Sequence, residues 1–83
     1  MRSVLPLYLA KWIKTKRVEV RCSQNNLADY LHITREAISR WERNETYPDI
    51  VTLGRLFIYF ECDAEEIYQV MVKIATDPLS DWD

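Results

Sequence analysis

Residues 23–43 read Ser23-Gln24-Asn25-Asn26-Leu27-Ala28-Asp29-Tyr30-Leu31-His32-Ile33-Thr34-Arg35-Glu36-Ala37-Ile38-Ser39-Arg40-Trp41-Glu42-Arg43. Leu27, Ala28 and Leu31 recur at the three-and-four spacing of one helical face, and Ile38 and Trp41 repeat it in the second segment. Ser23 and Thr34 stand where N-caps belong, each able to accept a bond from a backbone N–H that a first helical turn leaves unpaired. Between the segments only His32-Ile33-Thr34 remains for the turn, and Ile33 is apolar enough to plug the crossing. Two short helices joined this tightly form a helix-turn-helix. The second helix exposes Arg35, Glu36 and Arg40, side chains long enough to reach base edges.

The rest of the chain is consistent with that unit. Its 83 residues suffice for one domain, below the size at which a large core forms. An apolar content of 48% with 29% charged residues is ordinary for a globular chain and argues against disorder. A single glycine, Gly54, disfavours the many tight turns of a sandwich or barrel. The pattern predicts five helices and no strand. The first covers residues 5–16, with Leu5, Leu9, Trp12 and Ile13 on one side and Pro6 in its first turn. A polar, basic connector runs from Thr15 to Cys22, in which Val18 and Val20 alternate with Glu19 and Arg21 as a short extended stretch would. Helices two and three span 24–31 and 35–43. Pro48 breaks the pattern, and Asp49 caps a fourth helix from Ile50 to about Phe60, burying Leu53, Leu56, Phe57 and Phe60. Gly54 within it suggests close packing against a neighbour. Asp63-Ala64-Glu65-Glu66 reads as a capping box, with the Glu66 side chain reaching back. It opens a fifth helix with Ile67, Val70, Met71 and Ile74 inward. Asp77-Pro78 ends that helix and leaves a tail with Leu79 and Trp82. The organisation is one domain over 1–83, with the helix-turn-helix at 24–43 and a C-terminal helix and tail at 64–83.

Charge is unevenly distributed. Residues 1–43 hold nine Lys/Arg against four acids, a balance of +5, whereas residues 44–83 hold two against nine, a balance of −7. The basic half contains the helix-turn-helix, and clustered cations supply most of the affinity of a protein for phosphate backbones. No apolar run approaches the ~20 residues of a membrane span, and the N-terminus is not a signal peptide. A cytoplasmic protein with reduced Cys22 and Cys62 is the expectation. One histidine, no Ser-His-Asp arrangement and no phosphate-cradling glycine loop leave little capacity for catalysis. No metal, cofactor, small-molecule ligand or membrane is implied. Trp41 is expected in the core beside Ile38.

Ser23-Gln24 followed by Leu27-Ala28, then Ile33-Thr34-Arg35, Ile38-Ser39, Trp41-Glu42, Pro48 and Leu53, resemble the Xre-type, lambda-repressor-like helix-turn-helix family. The similarity extends through Asp63-Ala64-Glu65-Glu66-Ile67 and covers about residues 4–70. It implies a compact all-α, five-helix DNA-binding domain acting as a homodimer on a two-fold-symmetric duplex site. By the same resemblance, Gln24, Thr34, Arg35, Glu36, Ser39, Arg40, Arg43 and Asn44 lie at the DNA. Gln24 would grip a phosphate and brace the second helix; Arg35, Glu36 and Arg40 would face bases, with Ser39 near the groove. Arg43 and Asn44 would touch phosphate, and Glu42 would serve an internal salt bridge. The chain departs from the pattern at His32, Asn44 and Glu61, where relatives commonly carry glycine, and at Glu45, where the loop is often basic. A left-handed Glu61 would cost about 1 kcal/mol, which suggests a shifted helix boundary there. The expected activity is that of a small transcriptional regulator, a repressor that occupies an operator. The rival is a protein-interaction or antitoxin-like module using the acidic half (Glu61, Asp63, Glu65, Glu66).

Overall fold

The structure, a computed structural model, describes residues 7–76 as five α-helices: α1 (Leu7–Glu19), α2 (Gln24–Leu31), α3 (Arg35–Glu42), α4 (Ile50–Tyr59) and α5 (Ala64–Thr76). Each of the four N-caps read from the sequence makes its bond. Ser23 accepts from the Asn26 amide at 3.0 Å, Thr34 from Ala37 at 3.2 Å, Asp49 from Thr52 at 2.8 Å and Asp63 from Glu66 at 2.8 Å. Such bonds satisfy amides that helix geometry leaves orphaned and fix where each helix begins.

The apolar stripes of all five helices converge on one core. Ile13, Leu27, Ile38, Leu56 and Val70, one from each helix, are fully buried; burying a side chain of this size contributes about 1.5–3 kcal/mol. Trp12 meets Phe57 and Phe60 edge-on, with ring centroids at 5.6 and 5.7 Å. Trp41 is buried beside Ile38 as expected.

Helix C-termini follow a second rule. Arg21, His32, Asn44 and Glu61 all take left-handed backbone angles, with φ between 55° and 61°. At each point the next residue's amide reaches back five positions: Cys22 to Arg17, Ile33 to Ala28, Glu45 to Arg40 and Cys62 to Phe57. This is the Schellman closure, which normally uses glycine. Here four non-glycine residues serve instead, while the one glycine sits inside α4. The helix boundary at Glu61 is therefore unshifted, and Glu61 adopts the strained angle. After three of the four closures, an apolar residue (Cys22, Ile33 or Cys62) turns towards the core. After α3 it is the exposed Glu45.

Several expectations are corrected. Helix α1 continues to Glu19, so the basic connector is mostly helix rather than extended chain, and Val18 and Val20 both face solvent. A Cβ on Gly54 would meet nothing within 4 Å, so this glycine serves no close packing. Met71 is exposed, leaving Val70 as the fully buried residue of α5. The Glu66 carboxylate does not close a capping box. It accepts from Trp12 Nε1 at 3.2 Å and pairs with Lys16 Nζ at 3.1 Å, joining α5 to α1. That bond from Lys16 holds the Glu66 carboxyl below the usual carboxylate range. Leu5, Pro6, Leu79 and Trp82 lie outside the described residues.

Two stability predictions follow from this geometry. Gly54→Ala should stabilise by about 0.5–1 kcal/mol through helix propensity, and Glu61→Gly by about 1 kcal/mol through relief of the left-handed residue. In a domain of this size each should raise the thermal midpoint by about 4–8 °C per kcal/mol. A lowered midpoint for Glu61→Gly would mean that the glutamate side chain contributes a contact worth more than the strain.

Candidate nucleic-acid interface

The helix-turn-helix is anchored from behind by an ion pair. Arg17 of α1 donates from Nε to Glu42 Oε2 at 2.7 Å and from Nη2 to Glu42 Oε1 at 3.0 Å. Its remaining Nη1 reaches the Cys22 carbonyl at 2.9 Å. The Glu42 side chain is only 6% exposed and that of Arg17 13%. A two-pronged guanidinium–carboxylate bond of this kind fixes orientation as well as distance. Glu42 thus acts as the internal salt-bridge partner that the sequence suggested, and the structure supplies Arg17 as its mate. Nothing local in the sequence links the two, because they lie on different helices.

Gln24 extends this anchor to the surface. Its Nε2 donates to Glu42 Oε1 at 3.0 Å, and its Oε1 accepts from Arg35 Nη1 at 3.2 Å. A carboxylate only accepts and a guanidinium only donates, so the orientation of the Gln24 amide is fixed. One amide N–H is used by Glu42 and the second is left for an outside acceptor. Arg35, the first residue of α3, is held at the outer end of the chain Arg17–Glu42–Gln24–Arg35.

The outer face of α3 carries alternating charges. Glu36 Oε2 lies 3.5 Å from Arg40 Nε and 3.1 Å from Arg43 Nη2. Arg43 also donates from Nε to Glu45 Oε2 at 2.9 Å, from Nη2 to Glu45 Oε1 at 3.2 Å, and from Nη1 to the Ser39 hydroxyl. These bonds lower the Glu36 and Glu45 carboxyls below their ordinary range, Arg43 being the main cause for both, and hold Arg43 protonated, chiefly through Glu45. Thr34 uses its hydroxyl to cap α3. Asn44 is the left-handed residue that ends α3, and its amide bonds to the Trp41 carbonyl at 3.1 Å.

All eight sequence-selected residues therefore gather on or beside α3, but in different states. Arg35 and Arg40 each make one bond on the exposed face, whereas Arg43 is heavily engaged. Glu45, which the sequence reading noted only as an unfavourable charge, is part of the arrangement; an Arg-x-Glu run straddling a helix end was the available signal. The basic surplus of the first half is also smaller at the surface than its count implies, since Arg17 and Lys16 are paired internally with Glu42 and Glu66. Tyr47, in the loop after α3, is exposed.

Among the described residues no three His, Cys, Asp or Glu come together as a metal site. Burial pushes the Cys62 thiol up to about 11, away from a reactive thiolate. Cys22 is buried, with its sulfur 3.1 Å from the Tyr59 hydroxyl. No described helix is long and apolar enough to cross a membrane.

Comparison with known proteins agrees with this geometry. The helix-turn-helix family profile matches residues 13–67, from within α1 to the first turns of α5. No curated protein gives a match. Among solved structures, the chain is similar to the crystal structure of a point mutant of the restriction-modification controller protein C.Esp1396I. The likeness has a TM-score of 0.71 and 26% identity, and covers 94% of this chain and 99% of that one. With the motif in register from Gln24 to Arg43 and the family match spanning most of the chain, this protein belongs to the Xre-type, lambda-repressor-like helix-turn-helix family of DNA-binding domains.

Proposed function

We propose that the chain is a sequence-specific regulator of transcription that reads the major groove of duplex DNA with α3. The observation that carries this reading is the braced presentation of Arg35 through Gln24 and Glu42, beside the exposed Arg40. A guanidinium fork matches guanine O6 and N7, so Arg35 and Arg40 are the guanine readers, and Glu36 Oε1 can accept from cytosine N4. The second Gln24 N–H is the phosphate grip at the start of α2. The backbone around Asn44 supplies a phosphate contact at the far end of α3, beside Arg43, whose guanidinium is held by Glu45 and Glu36, with Thr34 and Ser39 lining the approach. The controller-protein likeness supports a regulatory role. We assign repression, by occupation of an operator, as its mode.

The protein acts as a homodimer. Tyr68 and Met71, three residues apart on α5, share a face and are 65% and 36% exposed, the apolar pair that would meet its copy on a second protomer. Two copies would set their α3 helices about one helical turn apart, ~34 Å, on a two-fold-symmetric site.

Selection of bound sites from a random duplex library tests the reading directly: a recovered pair of inverted half-sites supports it, and failure to enrich any sequence overturns it. On the selected site, Arg35→Ala or Arg40→Ala should cost ~1–3 kcal/mol and relax preference at one base pair. Equal losses on selected and random DNA would reduce these arginines to phosphate contacts. In sedimentation, Tyr68→Glu should shift the protein towards monomer. A wild-type protein that stays monomeric even on a two-half-site duplex would exclude the dimer.

A further inference from the structure

Arg43 stands where the end of α3 would meet a DNA phosphate, yet it already holds an anion. Of the five N–H groups of a guanidinium, four are committed within the chain. Glu45 takes Nε and one Nη2 hydrogen at 2.9 and 3.2 Å, Glu36 takes the other at 3.1 Å, and Ser39 takes one from Nη1. The Glu45 pair is two-pronged, the same planar fork with which arginine grips phosphate. Its placement is built into the backbone. Left-handed Asn44 turns the chain, and the Glu45 amide bonds back to the Arg40 carbonyl at 2.9 Å, which sets the Glu45 side chain beside Arg43. At the three comparable helix ends the equivalent residue faces the core; only here does it carry a charge to the surface.

We propose that Glu45 is a positioning residue that occupies the phosphate-binding fork of Arg43, so that its carboxylate competes with duplex DNA for that arginine. The proposal rests on the DNA-binding reading. Its consequence is a lowered affinity for DNA of any sequence. Backbone phosphates must displace a carboxylate that is already seated, while the guanine-reading forks of Arg35 and Arg40 do not pass through Glu45. Glu36 alone cannot replace it, because one Glu36 oxygen already serves both Arg40 and Arg43. Removing the Glu45 carboxylate frees Nε and one Nη2 hydrogen as a pair, the geometry a phosphate needs.

The test is a four-protein cycle on a mixed-sequence duplex: wild type, Glu45→Gln, Arg43→Gln and the double variant, with affinity followed as a function of salt. Both substitutions lie on exposed side chains, and helix content and thermal midpoint verify the fold. Glu45→Gln should bind roughly five- to tenfold tighter at about 0.1 M salt, with a salt slope steeper by about 0.9, the signature of one added phosphate contact. Arg43→Gln alone should lose less than about twofold, since its arginine is occupied to begin with, and Glu45→Gln should bring no gain in the Arg43→Gln background. An equal gain in both backgrounds would mean that Glu45 merely repels the duplex, and no gain in either would mean that the fork is not limiting; each overturns the proposal while leaving DNA binding intact. A wild-type protein with no affinity for duplex even at low salt would instead overturn the DNA-binding reading, and this proposal with it.

Discussion

The Arg17–Glu42 pair is the interaction on which the arrangement of the exposed face of α3 depends. It joins α1 to the C-terminal turn of α3 across the core edge, and both charges are largely withdrawn from water. Such a pair adds little net stability when whole, because desolvating two charges offsets most of their attraction, but it is costly to break. Its importance lies in geometry. Glu42 has two oxygens, and both are taken by Arg17, while Oε1 also receives Gln24. The position of Gln24 then fixes that of Arg35. A fault at Glu42 would thus be felt as a lost orientation at Arg35 on the exposed face, two side chains away from the cause.

Much of this was legible in the sequence because the determining signals were local. Ser23, Thr34, Asp49 and Asp63 are short acceptors placed directly before apolar periodic runs, and a cap needs only a bond to an amide three residues on. The buried stripe of α4, Leu53-Leu56-Phe57-Phe60, was equally plain, since four large apolar residues at helical spacing have one way to hide. Trp41 could be placed in the core by the same logic, with no knowledge of its neighbours.

What the sequence did not disclose depended on partners distant along the chain. The Asp63-x-x-Glu66 spacing suggested a capping box, but Lys16 and the indole of Trp12 offered the Glu66 carboxylate a cation and a donor that its own helix end could not match. The glycine logic failed for a related reason. A left-handed helix end is required by the Schellman closure, not by the residue that occupies it, and cooperative packing holds Arg21 and Glu61 there against a local cost of about 1 kcal/mol. Helix α1 ran into the expected connector as far as Glu19 and so carries Arg17, whose partner Glu42 lies on another helix. Met71 was misassigned because a stripe of four positions on α5 is wider than the strip of core that α5 covers.

Net charge is a poor guide to how this surface would meet DNA, and the pairings explain why. The chain is acidic overall at −2, yet long-range attraction is set by the charges left unpaired near the contact, within a Debye length of about 8–10 Å. On the exposed face of α3, two arginines, Arg40 and Arg43, are interleaved with Glu36 and Glu45 at hydrogen-bond distance. Such a face has a weak field at a distance and strong, directional donors at contact. On duplex DNA such a face would hold down non-specific association, which feeds on the field, more than hydrogen bonding to base edges, which depends on shape and alignment. The spacing of these carboxylates would in this way add discrimination, and the brace from Arg17 through Glu42 and Gln24 holds Arg35 at its outer end.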